Sequence, residues 1–419
     1  MKPNLVISCP ASSRSGYGDH SRDLIKSLFA MDKYNIKILD QKWGTCGRDA
    51  LGIDDLQIAS NIITKMDSKP DIWIQITIPS EFQPVGKYNI GITAGIETDI
   101  CSSAFVQGMN RMDYCLVPSE HAKKVFEESR YDEKDEGGNP VGKLYLTTQT
   151  DVLFEGLDIT KFRKTQEDKI DLSTIKEEFC FLAVGHWLNG EFTHDRKDMG
   201  GMVRTFLETF KNTSHKNQPA LILKTSASGF SVTDRQDILK KINHIRSTVE
   251  SPHIPNVYLI HGDLIPTELN ALYNHPKVKA MVSFTHGEGF GRPLLEFSIT
   301  GKPVIAPAWS GQVDFLSEHG IPLAGDLREV HKSVLWENVI IEGSKWFYVD
   351  YGYANSTMKK IFKEYKKASE KSRKQTQYVK DNFTLDLMGK KFEQMMTDNV
   401  PSFEIKIPKL DDVKVASVK

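Results

Sequence analysis

The sequence predicts an α/β fold of two domains, each with a parallel β-sheet that helices cover on both faces. Short apolar runs alternate with amphipathic helical patterns along most of the chain, which is the rhythm of repeated βα units. With 419 residues the chain is longer than one hydrophobic core normally supports. Two domains of roughly 150–200 residues are therefore expected. Hydrophobic residues at 39% and charged residues at 26% are those of a globular protein.

The first domain begins with an apolar strand, and strands then alternate with helices. Its predicted strands are Asn4–Cys9, Asn35–Leu39, Asp71–Ile76, Asn89–Thr93 and Tyr114–Val117. The loop SSRSGYGDH separates the first strand from a helical pattern at His20–Phe29, and Ser119 is the predicted N-cap of a later helix. The charged, Gly- and Pro-containing segment Asp132–Gly142 is interpreted as an exposed loop.

A second series of elements follows the polar stretch Lys164–Glu178. Its predicted strands are Phe179–Gly185, Ala220–Thr225, Val257–Ile260, Lys279–Phe284 and Pro303–Ala306. Its predicted helices are Met199–Phe210, Thr233–Val249, Pro266–Tyr273 and Pro293–Thr300. From Ala354 to Met396 the chain is helical and charged. We therefore predict domains over 1–165 and 166–350, C-terminal helices over 351–400 and a tail over 401–419.

Charge and cysteine content narrow the class of protein. The formal net charge of -1 gives no global attraction to nucleic acid or to a membrane. The cysteines are odd in number and never spaced C-x-x-C, so we expect free thiols in a reducing cytoplasm; they are Cys9, Cys46, Cys101, Cys115 and Cys180. No apolar segment of about 18 residues is present, which predicts no membrane span but leaves peripheral membrane contact open.

The most informative stretch, Ser283–Leu316, has the pattern strand, Gly-rich loop, helix, strand and small-residue turn. Gly287, Gly289 and Gly291 allow a backbone to approach a ligand closely and to point N–H groups at it. Pro293 suits the first turn of a helix, where its missing N–H costs nothing. The N-terminus of that helix would attract a diphosphate.

Two carboxylates accompany this loop. Glu288 precedes the helix and Glu296 lies within it, eight positions later. A carboxylate inside such a site can accept hydrogen bonds from both hydroxyls of a ribose.

The segment E-G-F-G-R-P-L-L-E resembles the E-x7-E motif of the large retaining GT-B glycosyltransferase family, family four in the usual classification. G-K-P-V-I-A-P continues the resemblance. Glu155–Asp158 with Phe162 resembles the interdomain hinge segment of that family, and His261–Gly262 with Ile265–Tyr273 resembles the segment before the motif strand. The resemblance covers nearly all of 155–320. It implies a GT-B fold: two Rossmann-like domains facing a cleft, with a C-terminal helix crossing back.

The resemblance implies donor-side roles by position. Glu296 would bind the ribose hydroxyls of a nucleoside diphosphate sugar. Glu288 would lie near the transferred sugar and the diphosphate, together with the amides of the loop residues Gly289, Phe290 and Gly291. Ile265 would lie where the nucleotide base stacks or pairs with backbone.

Cations and a second glycine loop complete the implied site. Lys197 in HDRKDMGG resembles the lysine of the R-K-G segment that neutralises the phosphates. Arg196 would assist, because a guanidinium suits bidentate phosphate contact. Gly16 and Gly18 in SGYG match the first-domain glycine loop beneath the donor phosphates, although G-x-G alone is a weak signal.

The chain departs from the family pattern at several positions. It has Gly185–His186 where the family often has Gly-Arg, and Asp198 where a glycine would follow the lysine. Lys224 is therefore an alternative diphosphate contact. In the first domain Glu97 stands where a histidine is frequent, and it is an acceptor-side candidate.

The implied activity is transfer of a hexosyl or pentosyl group from a nucleoside diphosphate sugar to an acceptor hydroxyl, with retention of configuration. No cofactor and no metal are expected, since no D-x-D pair is placed to hold one. A glycan or glycoconjugate is the favoured acceptor. Hydroxymethylated bases of phage DNA are an alternative, which the near-neutral charge disfavours and only the basic run Met358–Lys374 favours. Another enzyme class on this fold and a non-catalytic sugar-nucleotide-binding protein are further alternatives.

Overall fold

The structure is a computed structural model. It describes residues 2–403 except 135–136, 167–169, 215–216, 228 and 317. Most of the predicted C-terminal tail, from 404 onward, lies outside the described residues.

The strands match the predicted positions closely where the sequence showed apolar runs. In chain order they are β1 Asn4–Cys9, β2 Asn35–Asp40, β3 Ile62–Ile63, β4 Ile72–Ile76, β5 Tyr88–Ile92, β6 Tyr114–Val117, β7 Tyr131–Lys134, β8 Pro140–Leu144, β9 Thr150–Val152, β10 Cys180–Val184, β11 Ala220–Lys224, β12 Val257–Ile260, β13 Val278–Val282, β14 Val304–Pro307, β15 Ile321–Leu323, β16 Gly325–Glu329 and β17 Lys345–Val349.

In chain order the α-helices are α1 Gly16–Met31, α2 Leu56–Ser60, α3 Ser103–Met109, α4 Glu120–Glu128, α5 Met199–Phe210, α6 Val232–Ser247, α7 Pro266–Asn274, α8 Arg292–Ser298, α9 Val313–Leu316, α10 Tyr351–Lys363, α11 Tyr365–Asn382 and α12 Leu385–Asn399. Ser119 caps α4 as predicted, because its side chain accepts a hydrogen bond from the backbone N–H of Ala122.

Two parallel sheets form the two domains. The first has the strand order β3-β2-β1-β4-β5-β6-β9 and the second the order β12-β11-β10-β13-β14-β15. In both sheets the order reverses direction beside the first strand, so each has the topological switch point at which doubly wound sheets bind ligands. The predicted fold of two Rossmann-like domains is confirmed. The predicted boundary at 165/166 falls between β9 and β10 and stays a prediction.

The C-terminal helices return to the first domain. Met388, Phe392 and Met396 on α12 are spaced four residues apart and are buried in the core of the first sheet. The return point lies at the interdomain connection, where the Leu157 N–H donates to the Phe383 carbonyl at 2.8 Å and the Leu385 N–H donates to the Leu157 carbonyl at 2.8 Å. The chain therefore passes between the domains twice at one place.

Two antiparallel hairpins were not predicted. Asp132–Gly142 was interpreted as a loop, but β7 and β8 pair across most of it. That interpretation was wrong because the side chains of β8 are exposed, so the backbone pairing leaves no hydrophobic pattern. Strands β16 and β17 form a second hairpin between the second sheet and α10, and we call residues 325–349 the bridging hairpin. It contacts the first domain, since the Lys345 N–H donates to the Asp99 carboxylate at 2.6 Å.

Candidate active site

The candidate site lies at the switch point of the second sheet, beside the first-domain segment that follows β5. The segment after β10 carries Arg196 and Lys197, and the segment after β13 carries Glu288. Both segments leave the carboxyl ends of neighbouring strands, because β10 pairs with β13. Glu97 comes from the first domain, five residues after β5.

The four residues predicted as catalytic form two ion pairs. Arg196 Nη1 pairs with Glu97 Oε1 across the two domains. Lys197 Nζ pairs with Glu288 Oε1 within the second domain. The side chains of Lys197 and Glu288 are only 10% and 13% exposed, so this second pair is largely screened from water. The sequence placed these residues 191 positions apart at most, and the fold brings them together.

The charges in this group stabilise one another. Burial alone would raise the pKa of Glu288, but the nearby Lys197 and Arg196 outweigh it and hold that pKa below its usual value. Burial and the charge of Arg196 lower the pKa of Lys197. Burial opposes the charge of Arg196, but the carboxylates of Glu97 and Glu288 raise its pKa. A diphosphate entering here would compete with carboxylates for two cations.

The loop of Gly287, Gly289 and Gly291, called the glycine loop below, contacts the first domain. Gly287 and Gly289 were expected to let the backbone approach a ligand, but they lie against the first domain. A methyl group at Gly287 would overlap the carbonyl oxygen of Glu97, and one at Gly289 would overlap that of Ala94. The Ser119 hydroxyl also donates to the Gly289 carbonyl at 2.7 Å. These glycines therefore permit direct backbone contact between the domains.

The glycine loop ends in a left-handed turn. Gly291 has φ 101 and is the N-cap residue of α8. Its conformation is one that residues with a side chain rarely adopt. Pro293 lies in the first turn of α8, as predicted. The side chain of Phe290 is 2% exposed and packs in the domain core, so only its backbone is available to a donor.

Glu296, the residue expected to bind the ribose hydroxyls, lies on α8. It is buried, its Oε2 accepts a hydrogen bond from the Tyr273 hydroxyl at 3.3 Å, and its Oε1 lies 3.3 Å from Arg292 Nε. The same guanidinium pairs with Asp23 at 2.7 Å and lies 3.8 Å from Glu155. Arg292 and these three carboxylates form the arginine cluster.

The arginine cluster holds more carboxylates than one guanidinium neutralises. Burial raises the pKa of Glu296 to about 8 and that of Glu155 to about 7, although Arg292 opposes both shifts. Burial also raises the pKa of Asp23. Asp23 belongs to α1 and Arg292 to α8, so the cluster connects the domains. The sequence pattern did not indicate the arginine cluster, although Arg292 lies within the E-x7-E segment.

The other predicted donor-side residues lie around this centre without joining the ion pairs. Gly16 begins α1, and Gly18 packs so closely on the Ser13 carbonyl that a methyl group would overlap it. Lys224 ends β11, where burial lowers its pKa. Ile265 is 49% exposed and is the N-cap residue of α7.

The described residues contain neither a metal-binding group of side chains nor a membrane-spanning helix. In the part of the chain that the structure describes, no group of three or more His, Cys, Asp or Glu residues is arranged to hold a metal ion. None of the helices within the described ranges is long and apolar enough to cross a membrane. The expectation that the site works without a metal or cofactor stays a prediction. All five cysteines are free, as predicted.

The two facing Rossmann-like domains and the returning C-terminal helix define a GT-B fold. Solved structures share it along nearly the whole chain. HepE of Anabaena in complex with UDP has a TM-score of 0.63 at 11% identity, covering 94% of this chain and 100% of that one. Sucrose-phosphate synthase of Thermosynechococcus elongatus has a TM-score of 0.62 at 12% identity, with coverage of 95% and 99%.

A third similar structure is a glycosyltransferase of Rickettsia africae, with a TM-score of 0.60 at 13% identity and coverage of 95% of this chain and 98% of that one. No family model and no curated protein matches the sequence. At these identities the likeness establishes the fold.

Proposed function

We propose that this protein is a retaining glycosyltransferase that moves a sugar from a nucleoside diphosphate sugar to an acceptor hydroxyl. The observation that carries the proposal is the two ion pairs at the switch point of the second sheet, Lys197–Glu288 within the second domain and Arg196–Glu97 between the domains. Two cations beside a helix N-terminus suit a diphosphate leaving group. The E-x7-E resemblance and the glycosyltransferases of the same fold support it.

The chemistry follows from the charges. The bond between the anomeric carbon and the diphosphate oxygen breaks, and the diphosphate takes the bonding electrons. The acceptor oxygen forms the new bond to that carbon, and its proton passes to an oxygen of the departing diphosphate. Lys197 and Arg196 stabilise the leaving charge, which is largest in the transition state. We assign Glu97, which comes from the first domain, the role of orienting the acceptor hydroxyl.

The donor class is proposed from chemistry and from comparison. HepE is described in complex with UDP-glucose, so uridine diphosphate hexoses are the first donors to test. Pentoses and other nucleotides complete the panel. A glycan or glycoconjugate is the proposed acceptor class.

The test is a donor panel measured by thermal shift and by slow donor hydrolysis in the absence of acceptor. A donor that stabilises the protein and is hydrolysed supports an enzyme. Binding without hydrolysis or transfer to any acceptor supports a non-catalytic binding protein. Once an acceptor is found among glycans and hydroxymethylated DNA, the anomeric proton coupling of the product by NMR decides between retention and inversion.

A further inference from the structure

His286 lies between β13 and the glycine loop and is completely buried. Its Nδ1 is 2.7 Å from the carbonyl oxygen of Phe347, and its Nε2 is 3.1 Å from that of Thr193. Its ring stacks on Trp346 with centroids 4.6 Å apart. One side chain therefore contacts both the bridging hairpin and the segment that leads to Arg196 and Lys197.

The backbone of His286 joins the same two segments. Its N–H donates to the Arg196 carbonyl at 3.0 Å, and its carbonyl accepts from the Phe347 N–H at 2.9 Å. Glu288 follows two residues later. The position of the catalytic cations relative to Glu288 is thus set around this residue.

The contact between His286 Nε2 and the Thr193 carbonyl matters because the backbone of Thr193 is strained. Its φ of 69 lies in the left-handed region, which is a genuine outlier for a β-branched residue. Such a conformation costs of order 1–3 kcal/mol and persists only where surrounding contacts hold it. The imidazole Nε2 is such a contact, and Arg196 comes three residues later.

A neutral imidazole has one N–H and donates to only one of the two carbonyls. Burial lowers the pKa of His286 to about 4, so the ring is neutral at physiological pH. Phe347 is also held by a second hydrogen bond, which its backbone N–H donates to the His286 carbonyl, whereas the backbone of Thr193 is strained. Loss of the Thr193 contact is therefore the more damaging of the two.

We propose that His286 is a positioning residue for sugar transfer. We assign the proton to Nε2, so that its N–H donates to the Thr193 carbonyl and thereby fixes Arg196 and Lys197 opposite Glu288; a proton on Nδ1, which lies closer to the Phe347 carbonyl, would remove this role. The inference rests on the proposed function, because the positioned cations are those assigned to the diphosphate. The bridging hairpin takes part as well, because its Trp346 and Phe347 fix the orientation of the His286 ring.

Two isosteric substitutions separate the two contacts. The amide nitrogen of glutamine falls near the Nε2 position of histidine, and that of asparagine falls near Nδ1. His286→Gln therefore keeps a donor for Thr193, and His286→Asn keeps one for Phe347. We expect His286→Asn to lower kcat for donor turnover by about tenfold or more, because small displacements of charged groups are costly. His286→Gln should remain within about threefold of wild type.

The Michaelis constant for the donor should change less than about threefold in both variants, since the cations act mainly in the transition state. His244→Asn, on the exposed surface of α6, is the control. Circular dichroism and thermal unfolding confirm that the variants are folded. Equal kcat for both variants, whether high or low, overturns the proposal. A wild-type protein without any donor turnover instead refutes the proposed function.

Discussion

At the scale of single residues, the site is an arrangement of buried charges that have partners before any ligand arrives. Lys197 is paired with Glu288, and Arg196 with Glu97. A donor must replace part of these interactions, so affinity for the ground state is limited while charge developing on the leaving group is stabilised. In the proposed glycosyltransferase these residues would therefore favour catalysis over tight donor binding.

Lys197→Ala should lower kcat by about 10²–10³-fold, the usual effect of removing one group that stabilises developing charge. Binding of the free nucleoside, which lacks the diphosphate, should be nearly unchanged. Lys224→Ala is the matched comparison, since Lys224 is the alternative phosphate contact. Steady-state kinetics and calorimetry decide the matter: a damaged Lys224 variant beside a normal Lys197 variant would reverse the assignment.

Glu97→Gln keeps size and polarity but removes the charge that orients the acceptor. We expect transfer to fall by about 10²-fold, the scale of general acid–base catalysis, while slow donor hydrolysis persists and donor affinity does not fall, because Arg196 loses a competing carboxylate. Glu127→Gln on the surface of α4 serves as control. Hydrolysis and transfer are measured side by side, and a parallel loss of both would place Glu97 on the donor side or in the fold.

Glu296 should make donor binding depend on pH. Burial raises its pKa to about 8, and only the ionised carboxylate accepts hydrogen bonds from both ribose hydroxyls. Donor affinity should therefore increase from pH 6 to pH 8.5. Above pH 8, where the wild-type carboxylate is ionised, Glu296→Gln should weaken binding by about 1.5–3 kcal/mol, as for a hydrogen bond to a charged group, and the variant's pH profile should be flat. Calorimetric titration at several pH values tests this; identical profiles would remove Glu296 from the donor site.

The same group gives an independent stability measurement. The folded-state pKa of about 8 lies above the ordinary 4.5, so the folded chain binds the proton more tightly than the unfolded chain. The stabilisation is complete below pH 4.5 and is lost as the pH rises through 8. Thermal unfolding temperatures should accordingly decline less with rising pH in Glu296→Gln than in wild type.

At the scale of elements, the start of α5 explains one departure from the family pattern. Asp198 occupies φ 45, ψ 45, a left-handed conformation that glycine adopts freely. Its carboxylate accepts from the Gly201 N–H at 3.1 Å and from the Tyr351 hydroxyl at 2.6 Å. The aspartate thus tolerates the turn and caps the helix immediately after Lys197.

Asp198→Ala should lower the free energy of unfolding by about 2 kcal/mol, because it removes the cap and leaves the Tyr351 hydroxyl without its acceptor. Asp198→Asn should cost much less. Burial raises the pKa of Asp198 well above its usual value, so a neutral amide is a close substitute that also tolerates the left-handed region. Urea denaturation of both variants provides the comparison, and equal losses would contradict the capping role.

The elements also show what a sequence pattern can predict. Strands such as β1, β6 and β12 were located to the residue because parallel strands buried on both faces are continuous apolar runs. The bridging hairpin was missed because β16 is GDLRE, with exposed polar side chains, and its pairing depends on tertiary contacts. The arginine cluster was missed for a related reason: Asp23 looks like a surface residue of α1, and only the fold brings Arg292 to it.

At the scale of the whole molecule, the domains meet through backbone contacts, ion pairs and a shared connection. The Asp23–Arg292 and Glu97–Arg196 pairs and the bridging hairpin all span the cleft. The candidate site residues near the E-x7-E segment were predicted from the family resemblance, and their roles stay predictions. The close approach of the two domains could not be predicted from the sequence, because glycines at a ligand site and glycines at a close interdomain contact have the same sequence signature.

Gly289 tests whether this close approach is needed for activity. Gly289→Ala would place a methyl group on the carbonyl oxygen of Ala94 in the opposite domain. Each domain can fold around the alanine, since the overlap arises only between domains. We expect the domains to separate, the radius of gyration measured by small-angle X-ray scattering to increase, and donor turnover to fall by more than about tenfold, because catalysis depends on closed geometry. Gly52→Ala is the control, as its methyl group would have its nearest neighbour at 4.0 Å. An unchanged radius together with lost turnover would show that Gly289 acts on the donor itself rather than on domain closure.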